Sequence, residues 1–240
     1  MKAQLHSELL KLRTTRIVAA FLLAVVALTL LTVPVEGFST DLGELATENM
    51  QRTLIGDYGA SNAVLLSTFV GLLLVTGEFR YGTIRPTRRR VFLAAKLIAA
   101  ALTGMVFGVV CVVLSFGAGL AVLAARDVDV ALTGTHVVVL VFGPVAASAG
   151  TAMLGVAIGA LIRNQVGAII AVVVYTLAIE ALIFAAIPSV GRYLPGQASS
   201  ALGGMPDEGL LVPGLAAVVV AGWTLAFVAA AIVRTDHSDV

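Results

Sequence analysis

Charge is the scarcest commodity in this chain. Of its 240 residues, 12% are Asp, Glu, Lys or Arg, about half the share of an ordinary soluble domain. So few ionisable groups cannot coat a compact particle in water, which excludes a free cytosolic enzyme. Cysteine is nearly absent too: Cys111 stands alone inside an apolar run, which excludes an internal disulfide and any Cys-based metal cluster. The three histidines, His6, His136 and His237, fall in three separate polar segments and offer no metal set. Long polar stretches are missing as well. The longest run to about two dozen residues, too short to fold as an ATPase, a receptor or a catalytic module. There is no G-x-x-x-x-G-K-[ST], no H-E-x-x-H, no G-x-S-x-G and no C-x-x-C. A net charge of +1 gives no case for a nucleic-acid partner. No repeat of 20–50 residues, direct or inverted, is visible.

What the chain has instead is apolar length. Hydrophobic residues make up 59%, and the mean hydropathy is +1.03. A bilayer core about 30 Å thick needs about 20 apolar residues in a helix. Six runs meet that length: 17–35, 60–76, 97–125, 137–162, 166–187 and 210–233. The reading is an all-α integral membrane protein with a single transmembrane domain over residues 1–240. The first run is longer than a signal-peptide core, and Val33-Pro34-Val35-Glu36 offers no A-x-A cleavage site, so it reads as a true span. The third run would be about 43 Å long as a helix and is expected to project at its outer end. Pro144 predicts a kink in the fourth.

Basic residues divide unevenly between the two ends of these spans. Twelve of the 15 fall on one side, among them Lys2, Lys11, Arg13, Arg16, the group Arg80–Lys96, Arg163 and Arg234; only Arg52, Arg126 and Arg192 fall on the other. The positive-inside rule then puts both termini in the cytoplasm. Within residues 1–16, Leu5, Leu9 and Leu12 share one helical stripe while Glu8, Lys11 and Arg13 lie on other faces. That spacing predicts an interfacial amphipathic helix. In the first outer loop, Asp41 and Glu44 have capping-box spacing and Gly56 marks a stop, so a short helix is expected. The last outer loop, Pro188–Gly209, is rich in Pro, Gly and Ser; it reads equally as a surface loop or as a segment dipping back into the membrane.

Two features inside the spans carry chemistry. Glu180 is the one ionisable residue deep in an expected span, about 21 Å along the fifth. An acid there costs about 2.5–3.5 kcal/mol on insertion scales, so it should face a cavity or a partner. Thr176 shares its face. The pair is a candidate pathway element; the alternative is a structural acid, protonated or paired with Arg192 or Arg126. Gly104-x-x-x-Gly108 and Gly155-x-x-x-Gly159 mark close helix contacts.

The loop after the second span reads Gly77-Glu78-Phe79-Arg80-Tyr81-Gly82-Thr83-Ile84-Arg85-Pro86-Thr87-Arg88-Arg89-Arg90. It resembles the permease subunit of type-2 ABC exporters, whose members often carry G-E-[YF]-R-x-G-T-[IL] at this place. Ser7-Glu8-Leu9-Leu10-Lys11-Leu12-Arg13-Thr14-Thr15-Arg16 is similar to the same family's N-terminal segment. The resemblance implies that Glu78, Arg80, Gly82, Thr83 and Arg85 couple the spans to a separate ATP-binding subunit, with Glu8, Lys11 and Arg13 on the interfacial helix. In relatives several more residues separate the Gly-Thr-Ile segment from the basic cluster; here Thr87 runs straight into Arg88.

The resemblance further implies a translocation pathway for a hydrophobic or amphiphilic cargo (a drug, a peptide or a lipid-like molecule). It implies a dimer of permeases, identical or not, in the plasma membrane of a bacterium. No cofactor is expected in this chain, and ATP and Mg are expected in the partner subunit. The rivals are a secondary transporter, against which the lack of a buried base counts, and a non-transporting membrane scaffold or immunity protein.

Overall fold

A computed structural model of the chain describes residues 7, 10, 12, 15–81, 89–205 and 209–236. Among the described residues the regular secondary structure is all helix, without a strand. In chain order the elements are α1 (Arg16–Ser39), α2 (Leu42–Leu45), α3 (Glu48–Arg52), a π-helical stretch (Thr53–Ala60) and α4 (Ser61–Tyr81). Next come α5 (Arg89–Ala125), α6 (Gly134–Ile162), α7 (Gln165–Val174), a second π-helical stretch (Tyr175–Ile179) and α8 (Glu180–Ala186). Two short helices, α9 (Pro188–Gly191) and α10 (Pro195–Leu202), precede α11 (Pro213–Asp236). Six of the resulting rods are long and apolar enough to cross a bilayer. We call the end where α1 begins the near end and the opposite one the far end.

Element boundaries depart from the expected spans where polar residues proved compatible with helix. α1 runs past Val35 to Ser39 and takes in Glu36, with Thr40 N–H closing the last turn on Glu36 O at 3.0 Å. α5 is extended at the near end, not at its outer end: it starts at Arg89, so its 37 residues reach about 55 Å. Lys96, expected in a loop, is consequently a helical residue and is 1% exposed. The first outer loop does contain short helices, but Asp41 makes no side-chain cap on α2. Thr47 caps α3 instead, accepting from Met50 N–H at 3.3 Å. Gly56 is no stop, since the chain continues helically through it into α4. Pro144 lies buried inside α6. Ser7, Leu10 and Leu12 are helical, while Glu8, Lys11 and Arg13 lie outside the described residues.

Close packing is set by glycine. Inside a bilayer, helices associate through van der Waals contact and backbone proximity, because lipid is as apolar as leucine. At Gly104 a Cβ would overlap the Ser148 carbonyl, and at Gly108 it would lie 2.7 Å from Val145 Cα, so α5 and α6 meet backbone to backbone. Gly71 on α4 and Gly155 on α6 do the same to each other's helix, against the carbonyls of Ala152 and Thr68. Both small-residue motifs are therefore used within one chain. The pair α4 and α6 forms the most extensive contact of the bundle, with α5 and α11 flanking α6.

Polar pins fix the ends. At the far end Gln51, fully buried, donates to Leu45 O (3.2 Å) and Asp129 O (2.9 Å) and accepts from Ala131 N–H at 2.9 Å. Arg126 donates to Gly37 O at 2.8 Å and to Thr40 O, closing the C-terminus of α1. His136 Nδ1 lies 2.8 Å from Glu48. At the near end the Lys96 ammonium donates to Leu74 O at 2.8 Å, joining α5 to α4.

Candidate functional site: a cavity between α4, α6 and α7

A cavity of about 850 Å³ opens between α4, α6, α7 with its π-helical continuation, α10 and α11. Its volume is that of a drug-sized ligand site. Composition changes along its length. Toward the near end the walls are Leu154, Ile158 and Ile162 of α6 facing Ile170 and Ala171 of α7. Toward the far end they are Asp57, Ser61, Asn62, Tyr175, Thr176 and Glu180, closed by Gln197, Ser199 and Ser200 of α10. Trp223 and Phe227 of α11 line it as well, their ring centroids 5.9 Å apart.

Both π-helical stretches border this cavity. A π-turn leaves carbonyls without their usual i+4 partners, so it persists only where other donors take over. Around the first stretch, Tyr58 O accepts from Thr32 Oγ1 at 2.7 Å and from Asn62 Nδ2 at 3.1 Å. The Ser61 hydroxyl donates to Asp57 O. On the facing wall Thr151 of α6 donates to Val64 O of α4 at 3.1 Å, and Thr68 donates to the same carbonyl at 3.0 Å.

Glu180 begins α8 and is 2% exposed. Its partner is neither Arg126, which is engaged on α1, nor Arg192, which lies over the Tyr193 ring at 5.1 Å. Instead Glu180 Oε1 accepts from Gln197 N–H at 2.8 Å. Oε2 crowds Gly196 so closely that a Cβ there would meet it at 2.5 Å. The carboxylate thus sits on the first turn of α10, where unpaired amides and the helix dipole favour an anion. That contact explains how an acid is kept so deep in a span. It also decides the ambiguity of the last outer loop: α10 dips between the spans, with Ala198, Ser199, Ala201 and Leu202 buried. A Cβ at Gly143 of α6 would overlap Leu202 O. The turn beyond is held by Arg52 Nη2 on Gly204 O at 3.3 Å, and Gly204 adopts φ +93°, a left-handed value suited to glycine. Trp223 Nε1 donates to Tyr193 O at 2.7 Å, securing the other side of the same segment.

Of the residues singled out in the sequence, Thr176 and Glu180 come together on the cavity wall. Glu78 and Arg80 belong to the last turn of α4, at the near end. Gly82, Thr83 and Arg85 lie outside the described residues. Two functional candidates escaped the sequence reading. Asp57 falls in the expected first outer loop, between the runs 17–35 and 60–76, yet its stretch is helical and faces the cavity. Lys96 passed for a loop base, though it is a buried base within a span. The signal for Asp57 was its short apolar lead, Leu54-Ile55, which joins the acid to the second span.

The model of the ABC-2 family transporter protein matches residues 4–179, which takes in the near-end signature, Asp57 and Thr176 and stops one residue before Glu180. No curated protein and no solved structure matches the chain. With six bilayer-length helices, a cavity between them and a family match over most of its length, this chain belongs to the ABC-2 family of transporters and is a multi-pass membrane transport protein.

Proposed function

We propose that the chain is the translocating permease of an ATP-driven exporter. The near end faces the cytoplasm, as the twelve-to-three division of basic residues requires, and residues 1–16 form an interfacial helix there. A separate ATP-binding subunit, holding ATP and Mg, docks on the loop that follows α4 through Glu78, Arg80, Gly82, Thr83 and Arg85. Two permease copies complete the assembly, and a hydrophobic or amphiphilic cargo passes along the spans.

The observation that supports this reading best is the buried lysine. Lys96 binds Leu74 O about one helical turn before Glu78, so a push on the loop reaches α4 and α5 as one body. α4 in turn carries one wall of the cavity at Ser61, Leu65 and Thr68. The same lysine removes the sequence argument against a secondary transporter, namely the lack of a buried base. It does not supply that rival with an ion pair, because Lys96 meets α4 near the near end while Glu180 is held by α10 in the far half.

The test is reconstitution with an ATP-binding subunit in liposomes. Wild-type chain is expected to stimulate ATP hydrolysis and to pump a fluorescent amphiphile, and Glu78→Ala with Arg80→Ala to lower both by about tenfold. Equal pumping without nucleotide, or undiminished hydrolysis and pumping after residues 78–90 are replaced by a neutral linker, would overturn the reading.

A further inference from the structure

The charge in the cavity is of one sign. Its lining holds two carboxylates, Asp57 and Glu180, and among the described residues no lysine, arginine or histidine. Glu180 is already answered by the amides that open α10. Asp57 is not: among the described residues no hydrogen bond or ion pair reaches its carboxylate, and the Ser61 hydroxyl goes to its backbone carbonyl. A half-buried carboxylate without a partner is costly in a low-dielectric surround. An anionic occupant would add repulsion to that cost, whereas a cation offsets it. Tyr175 and Trp223 line the same cavity, and aromatic rings are the other common means of holding an organic cation.

The remaining volume asks for something long and apolar. From Glu180 to Gly167, both lining residues, the wall is thirteen helical residues deep, about 20 Å. Its near-end half is built from Leu154, Ile158, Ile162 and Ile170 without a charged group. A cavity that is acidic at one end and aliphatic at the other matches a molecule with a cationic head and an apolar tail. At about 850 Å³ it has room for a single alkyl chain with its head.

We propose that this cavity binds a single-chain cationic amphiphile, its ammonium head against Asp57 at the far end and its tail toward Ile158 and Ile162. This deepens the permease reading, on which it rests for the claim that the occupant is cargo; the binding itself needs only this chain.

Trp223 is the one tryptophan of the sequence and lines the cavity, so it reports occupancy directly. The experiment uses the full chain in phosphatidylcholine nanodiscs, titrated with alkyltrimethylammonium, alkyl sulfate and alkyl maltoside probes that carry the same brominated tail. Saturable quenching of Trp223 is expected for the ammonium probe at an affinity at least about tenfold above the other two. Asp57→Asn should erase that preference and Asp57→Glu keep it. Equal affinities for the three heads, or a preference that survives Asp57→Asn, would overturn the proposal. Should Asp57→Asn fail to fold, Ala171→Phe, which fills the aliphatic half, must abolish saturable quenching by the ammonium probe, and unchanged quenching counts against the site. Doping the discs with a two-chain trimethylammonium lipid should leave the titration unchanged; displacement would refute the single-chain assignment. No ATP-binding subunit is present, so a missing head preference condemns this site alone, while pumping without nucleotide condemns the permease reading and leaves the binding intact.

Discussion

At Glu180 a carboxylate buried to 2% exposure meets the opening turn of an eight-residue helix and, among the described residues, no basic side chain. Removing the charge while keeping an acceptor, as in Glu180→Gln, should weaken α10 docking by about 1 kcal/mol. Glu180→Leu leaves buried amides without an acceptor and should cost about 1–3 kcal/mol. Thermal unfolding followed by Trp223 emission checks the order, and equal melting of the two variants would contradict it. Gly196→Ala should act like Glu180→Leu, since the added methyl displaces Oε2. Lys96 poses the reverse case. A buried ammonium is costly to desolvate, and methionine fills a similar length without the charge, so Lys96→Met is expected to fold. Under the proposed function it should nevertheless hydrolyse ATP in the complex with pumping reduced by about tenfold, because α4 and α5 are no longer tied. Pumping at the wild-type level per ATP would refute that role.

Helices in this bundle are spaced by what they lack. Gly71→Leu or Gly155→Leu drives a side chain into a facing backbone, a site with no room to relax, and should cost more than the about 1–3 kcal/mol of ordinary overpacking. Gly117→Leu and Gly222→Leu, where nothing lies within 4 Å, should leave size-exclusion profiles and melting unchanged. The glycine spacings were legible in the sequence, as were the six apolar rods, because both depend on length and periodicity alone. The π-helical stretches were not. Whether a turn takes an extra residue depends on donors such as Thr32 and Asn62 supplied from elsewhere, and no local pattern records them. For the same reason the partner of Glu180 could not be read: it is a backbone amide on a segment seventeen residues away.

For the molecule as a whole, the uneven placement of arginine sets an orientation that chemistry can test. Cys111, the only cysteine, is buried and hydrogen-bonded to Thr29 at 3.2 Å, so Cys111→Ser gives a background without reactive thiols. Ser39 and Ser7 are exposed, at the far end and ahead of α1. In intact cells an impermeant maleimide should label Ser39→Cys at once and Ser7→Cys only after permeabilisation; the opposite pattern would invert the topology. The sequence conveyed the bundle but not its interior, because Asp57 and Lys96 acquire their surroundings only when the rods assemble.

One consequence follows from how α10 is moored. Its first turn is fastened to the fifth rod through Glu180, and its last turn is wedged on the fourth at Gly143, with Arg52 gripping the loop just beyond. A short rigid strut anchored at both ends to different pillars cannot stay indifferent when those pillars slide past one another. Any stroke that shears the fourth rod against the fifth must either snap one mooring or drag the strut along, which makes this small helix a built-in gauge of how far the pillars have travelled.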